Sequence, residues 1–226
     1  MKKALFFAIP LFLFAFLSGF AQETVTRQLG SFTRLVVTDN MTIQLARAEK
    51  ESVSLKVEGI DPSEIQTVVE NNTLKIQQVG STFSKKKVLI TLNFRQIKEM
   101  EILNGAEVIT GSLFKADSLD VTLKSGGMLY LDADIEYLKS YVIEGSLLSA
   151  EGYATRHDIT VATYATVSTF DLESEIINVK ASSGGKAKIN VESELNAQAS
   201  SGGIVTYKGD PAVKNVKGSD IVPYTE

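Results

Sequence analysis

The chain has 226 residues, with 23 Lys and Arg against 27 Asp and Glu, a net charge of −4, one histidine and no cysteine. The acidic balance argues against a nucleic-acid binder, which presents a basic face. Without cysteine there are no disulfides and no thiolate metal sites, so packing and hydrogen bonds must hold the fold.

The N-terminus reads as a secretory signal. Lys2 and Lys3 open it, an apolar run from Ala4 to Leu17 follows, and Gly19 and Ala21 supply small residues for cleavage after Ala21. The rival reading is a retained anchor. The run is short of the roughly 20 residues a spanning helix needs, and Pro10 interrupts it. Cleavage is therefore expected, leaving a mature chain without an integral membrane segment, in the periplasm, on the outer-membrane surface or secreted. Losing two lysines makes that chain still more acidic.

Residues 22–97 are strand-rich but irregular. Leu35–Val37, Met41–Leu45, Val53–Val57, Leu74–Ile76 and Val88–Leu92 read as short strands. Asp61-Pro62-Ser63-Glu64 predicts one helical turn before Ile65, and Asn71-Asn72 predicts a hairpin tip. Ser84-Lys85-Lys86-Lys87 reads as a solvated loop ahead of an apolar strand. No proline- or glycine-rich linker follows, so 22–226 is expected to be a single domain, with regular coils over 98–226.

Those coils announce themselves by repetition. Ala181-Ser182-Ser183-Gly184-Gly185 recurs letter for letter at Ala199-Ser200-Ser201-Gly202-Gly203. Alignment on the turn glycine gives Gly105, Gly126, Gly145, Tyr164, Gly184, Gly202 and Gly218 as structural corners. Three places after each stand Val108, Leu129, Leu148, Val167, Ala187, Val205 and Ile221. Three places before the first six stand Ile102, Leu123, Val142, Val161, Ala181 and Ala199. The column four before is polar (Glu101, Thr122, Thr160, Lys180, Gln198) except for Tyr141. Period-two alternation on both sides of a glycine corner predicts short strands with one buried face. A constant corner register predicts an all-β, single-stranded parallel β-solenoid, right-handed β-helix-like, with about 18–21 residues per coil. Tyr164 requires a different corner conformation or a strained one. Pro211 and Pro223 fit a terminal region that resists further strand addition.

Catalytic machinery is sparse. His157 falls in the column seven before the corner, with Leu119, Leu138, Ile177 and Leu195, and reads as a core or coil-edge residue. No catalytic residue, metal ligand or cofactor site is assigned. Asp132 and Asp134, two apart on a strand near Lys124, are the best candidates for a polysaccharide lyase on this scaffold, the minority reading. Ser-Ser-Gly-Gly lacks the lysine and helix of a phosphate loop and reads as a turn. Tyr130, Tyr141, Tyr153 and Tyr164 form the candidate binding surface, because exposed aromatic rings offer large rigid contacts to sugars or proteins.

The order of these segments resembles a known family. Phe32-Thr33-Arg34-Leu35-Val36-Val37 is followed by Val69-Glu70-Asn71-Asn72-Thr73-Leu74-Lys75-Ile76, then serial Ser-Gly corners, then Tyr207-Lys208-Gly209-Asp210-Pro211. Across roughly residues 30–223 this resembles the "putative auto-transporter adhesin, head GIN domain" family, a domain of unknown function in exported proteins common in Bacteroidetes. The resemblance implies a parallel β-solenoid and carries over no catalytic residue. Tyr164 and Gly145-Ser146 depart from the usual Ser-Gly-Gly corner. No barrel-forming segment is expected after the last coil. The expected function is a non-enzymatic extracytoplasmic binding or adhesion module that presents a solenoid wall to an envelope protein or glycan. The alternatives are an envelope component that docks another exported protein, and a carbohydrate-active enzyme.

Overall fold

Short apolar–polar alternations punctuated by Gly, Asn and Asp produce strands and tight corners along the whole chain. A computed structural model describes residues 23–80 and 87–225. The expected signal segment and Ser84, Lys85 and Lys86 of the basic run lie outside the described residues. The fold is an all-β solenoid of about seven parallel turns, roughly 19 residues each.

The N-terminal part holds β1 (Glu23–Gln28), β2 (Arg34–Val37), β3 (Thr42–Arg47), β4 (Ser52–Glu58), β5 (Ile65–Glu70), β6 (Thr73–Gln78) and β7 (Lys87–Phe94). Next come β8 (Glu99–Leu103), β9 (Glu107–Thr110), β10 (Phe114–Lys124), β11 (Met128–Val142), β12 (Leu147–Val161), β13 (Thr166–Ala181) and β14 (Lys186–Ala199). The chain closes with β15 (Ile204–Lys208), β16 (Val213–Lys217) and β17 (Ile221–Pro223). Two walls result. The first, leading into each corner, stacks β6, β2, β8, the C-terminal parts of β10 to β14, and β16. The second, leaving each corner, stacks β7, β3, β9, the N-terminal parts of β11 to β14, β15 and β17. The far edge of the first wall falls where consecutive residues face outward, at Glu136–Tyr137, Thr155–Arg156 and Glu175–Ile176. A short third face, with Ala133–Ile135 over Gly152–Ala154, completes the coil.

The N-terminal coils stack out of sequence order. The β2–β3 coil lies between β6–β7 and β8–β9. Beyond β6–β7 the pairing turns antiparallel, with β5 on β6, β4 on β7 and β1 on β4. Val53, Leu55 and Val57 of β4 close the core at that end. The predicted turn is a 3-10 turn over Pro62–Glu64, capped by the Asp61 carboxylate, which accepts from the Ser63 N–H at 2.7 Å. Asn71 and Asn72 both take positive φ, 47° and 63°, at the tip between β5 and β6, as a primed hairpin turn demands.

The predicted columns are the observed ladders. Val108, Leu129, Leu148, Val167, Ala187, Val205 and Ile221 pair in unbroken succession, as do Ile102, Leu123, Val142, Val161, Ala181 and Ala199. These residues are buried through Val205. At each corner the anchor and the residue before it both have positive φ, from Asn104–Gly105 to Ser201–Gly202. The turn closes on itself, with the Gly185 N–H donating to the Ser182 carbonyl at 2.8 Å. It also ties to the next coil, with the Gly105, Gly126, Gly145, Tyr164 and Gly184 N–H groups donating to Ser125, Glu144, Thr163, Ser183 and Ser201 carbonyls at 3.0–3.2 Å.

Tyr164 keeps the same corner conformation at φ 59°. Of the two expected alternatives, the strained one holds, because the inter-coil hydrogen bonds fix the backbone regardless of side chain. Gly218 is different. Its φ of 115° lies well away from the 68–78° of the other five corner glycines, and Lys217 before it has no positive φ. The shorter last coil bends there without repeating the two-residue turn, yet Ile221 still pairs with Val205.

Candidate functional site

Outward-facing residues recur at fixed positions on each coil, so the first wall carries straight columns of polar side chains. In one column Lys139, Asp158, Asn178, Asn196 and Asn215 are successive register partners. Strand stacking puts neighbours about 4.8 Å apart, within reach of amide-to-amide hydrogen bonds. Asn178 Nδ2 donates to Asp158 Oδ1 at 2.6 Å, Asn196 Nδ2 to Asn178 Oδ1 at 2.8 Å, and Asn215 Nδ2 to Asn196 Oδ1 at 2.8 Å. The parallel column reads Tyr141, Thr160, Lys180, Gln198, Lys217. A groove of about 510 Å³ runs over these two columns.

Asp158 anchors the ladder at its N-terminal end. Burial works to raise its pKa, but hydrogen bonds from Arg156 (2.9 Å), Asn178 (2.6 Å) and the Tyr137 hydroxyl (2.6 Å) overcome that and hold it at about 2. It is therefore a fixed anion and an orienting group. Behind the wall, His157 is 0% exposed, and its Nε2 lies 2.9 Å from Ser140 Oγ. Burial drives its pKa down to about 3, so the imidazole is neutral. It occupies the column of Leu138 and Ile177, the core position expected of it.

The four tyrosines do not share a wall. Tyr141, 42% exposed, borders the groove on the first wall, with Lys124 Nζ 6.0 Å from its ring centre. Tyr130 stands on the second wall beside a smaller groove of about 260 Å³. Tyr153 is half-buried on the third face, where its hydroxyl donates to Glu175. Tyr164, 81% exposed, projects from the corner, with its ring over Gly184, where an added Cβ would come within 2.8 Å. The lyase candidates also separate. Asp134 pairs with Lys115 at 2.7 Å, and Asp132 lines the smaller groove with Glu151 and Asp171. Lys124 belongs with Tyr141, on the other wall. Among the described residues no cluster of His, Asp or Glu is arranged to hold a metal ion.

The asparagine ladder escaped sequence reasoning, although its signal was present. Asp158, Asn178 and Asn196 all stand six residues before their corner anchors. Asn215 breaks that offset because the final corner is shorter, so that Gly218 stacks against Ala199 rather than against Gly202.

The whole first wall, up to its last coil, falls within residues 31–211, which match the family model described as "Putative auto-transporter adhesin, head GIN domain". The chain belongs to this family. The head GIN fold is shared with solved structures. A "putative adhesin" from Bacteroides fragilis superposes with a TM-score of 0.79 at 18% identity, over 90% of this chain and 98% of that one. A "putative adhesin" from Parabacteroides merdae gives 0.68 at 18% identity, over 90% and 96%. A "putative lipid binding protein" from Parabacteroides distasonis gives 0.66 at 16% identity, over 90% and 96%. At these identities the likeness is one of fold. No curated protein matches the sequence. Among the described residues no helix is long and apolar enough to cross a membrane.

Proposed function

We propose that the protein is a non-enzymatic, extracytoplasmic binding module of the adhesin type that holds a glycan chain along the first wall. The observation that carries this reading is the hydrogen-bonded row Asp158–Asn178–Asn196–Asn215 on the floor of an open groove. A side-chain amide offers two donors and two acceptor sites. Asn178 uses one donor and one acceptor site along the stack, which leaves a donor and an acceptor to face a ligand; Asn196 spends its second donor on Glu194 Oε1 at 2.7 Å and keeps one acceptor site. Sugar hydroxyls, which both donate and accept, are matched to such pairs. Tyr141 adds a ring face at the groove margin. The row is ordered before binding, so little rotamer entropy is lost when a ligand arrives. Export supports the setting: the N-terminal Lys2-Lys3 and apolar run have the pattern of a secretory leader.

A non-catalytic role is supported by the two groups closest to acid–base chemistry. His157 is enclosed and neutral, and Asp158 is held ionised by three donors. Neither is poised to exchange a proton near neutral pH.

The test is a glycan array with envelope and host polysaccharides, run on the wild type and on the Asn178→Ala/Asn196→Ala double variant. Saturable binding that drops about tenfold or more in the variant, as expected for the loss of two or more ligand hydrogen bonds of about 1 kcal/mol each, supports the reading. An absence of glycan binding at micromolar concentration overturns it, as does wild-type affinity in the variant.

A further inference from the structure

Charge on the first wall is distributed unevenly. Toward the N-terminal end the outward columns carry Glu99, Glu101 and Asp120. From β11 onward they carry Lys139, Lys180 and Lys217. The three lysines are exposed and make no ion pair among the described residues. Other cations of this region are engaged: Arg156 with Asp158 at 2.9 Å, Lys214 with Asp210 at 2.8 Å, and Lys124 with the Tyr141 ring. Asp158 is balanced by Arg156, and Glu194, whose carboxylate accepts from the Asn196 amide at 2.7 Å, offsets part of the remaining positive charge. With Lys139, Lys180 and Lys217 against that one carboxylate, the groove keeps a positive excess on a chain whose net charge is −4.

The lysines also recur regularly. Lys139 lies on β11, Lys180 on β13 and Lys217 on β16, and the coils between them, β12 and β14, present Thr160 and Gln198 beside the ladder residues. Cations therefore stand on alternate coils, about 9.6 Å apart along the solenoid axis at about 4.8 Å per coil, with Lys180 and Lys217 in one column and Lys139 two residues to the side in the ladder column. We infer, building on the glycan reading above, that the groove selects an acidic polysaccharide with one negative charge on every second sugar. A pyranose advances a glycan chain by nearly one coil spacing, so alternate sugars fall beside alternate coils. Charged units then meet Lys139, Lys180 and Lys217, and neutral units meet Thr160, Gln198 and the amides. A duplex nucleic-acid strand carries a charge every ~3.4 Å, nearly three times too dense for this spacing. Beyond Lys139 the wall passes to Asp120 and then to Glu99 and Glu101, which Arg34 pairs at 3.7 and 2.8 Å, so the row of free cations ends there.

The test compares purified wild type with the Lys180→Gln, Lys180→Gln/Lys217→Gln and Asn178→Ala/Asn196→Ala variants, with Lys56→Gln on the capping strand β4 as control. Thermal melting confirms that each is folded. The probes are hyaluronan fragments (a carboxylate on alternate sugars), polygalacturonate (a carboxylate on each sugar), a chondroitin sulfate (carboxylate and sulfate ester), neutral cello-oligosaccharides and phosphatidylglycerol vesicles. Hyaluronan is expected to bind most tightly. Lys180→Gln should weaken it about tenfold, as for loss of one charge-assisted hydrogen bond, and Lys56→Gln should not. Raising ionic strength from about 0.01 M to about 1 M, which shortens the Debye length from about 30 Å to about 3 Å, should weaken it further. Equal or tighter binding of polygalacturonate or of the chondroitin sulfate, each charged on every sugar, overturns the alternate-sugar inference and leaves the glycan reading standing. Equal binding of neutral and acidic glycans, lost only in the asparagine variant, overturns the inference and leaves the glycan reading standing. Binding to the vesicles alone, or no binding to any polysaccharide, overturns both.

Discussion

At the scale of single residues, the core encloses one ionisable side chain among the described residues, and it is neutral. His157 has a buried Nδ1 without a hydrogen-bond partner, and its pKa falls from 6.5 to about 3 through burial. The unfolded chain therefore takes up the proton first as pH drops. Its contribution to stability is fully present above pH 6.5 and is lost as pH falls toward 3, at up to about 1.4 kcal/mol per pH unit. Asp158 acts in a lower window. With burial opposed and overcome by its three hydrogen bonds, its pKa is lowered from 3.8 to about 2, so its stabilising effect is lost only as pH falls below the 3.8 of the unfolded carboxyl. Chemical denaturation between pH 4 and 7 covers the histidine's window, where Glu192, its pKa raised by its hydrogen bond with Glu173, acts in the opposite sense, so a variant is needed to separate the histidine's share. His157→Leu, which matches Leu138 and Leu195 of the same column, is expected to flatten the pH dependence over that range. An unchanged slope would refute the buried, neutral state. The position was legible from the sequence, because the column of leucine and isoleucine around His157 marks an inward face. Its pairing with Ser140 was not, because that serine belongs to the neighbouring coil.

At the scale of the element, each corner joins two requirements that only some residues meet. The anchor needs positive φ, and the position after it must fit beneath the preceding coil. At Gly203 an added Cβ would approach the Ala181 carbonyl oxygen to 2.3 Å, and at Gly185 the Val161 carbonyl oxygen to 2.6 Å. At Gly145 nothing lies within 4 Å, and only the φ of 68° resists a side chain. Gly203→Ala is therefore expected to destabilise by roughly 2–4 kcal/mol through backbone displacement, within the range of large single-residue effects. Gly145→Ala should cost only about 1–2 kcal/mol of left-handed strain. Urea denaturation of the two variants measures the difference, and equal losses would disprove the steric account. Tyr164 shows the converse. It takes a φ of 59° without being glycine, since its N–H is committed to Ser183 at 3.1 Å and its ring finds room over Gly184. The corner ladder therefore outranks local preference, which is why the repeat survives a break in its glycine column.

At the scale of the molecule, the two ends differ. The N-terminal end finishes in antiparallel strands whose apolar residues complete the core. At the other end every residue of β16 is exposed, and β16 and β17 each pair on one side with the coil before them. Val216, in the inward column of Ala197, is 49% exposed. In a stacked array, stability comes from neighbour contacts and is lowest where a neighbour is missing. Native-state hydrogen exchange should therefore show least protection in β16 and β17 and most in the ladders of β11 to β14. Uniform protection to the last coil would contradict this. The proposed anion track spans both regimes, from the well-supported Lys139 to Lys217 on the exposed last coil. Binding of a chain that bridges them should raise protection in β16.

The amino-acid sequence by itself determined the repeating strands, the corners and the inward ladders. Each depends on periodicity within one coil, and apolar alternation beside Gly or Asn reports that directly. Tertiary structure alone decided the out-of-order stacking of β2–β3 between β6–β7 and β8–β9, and the asparagine row with its alternating lysines. Those features depend on which coil lies against which. A local pattern carries no record of the neighbour about 4.8 Å away until the backbone hydrogen bonds between coils set the register.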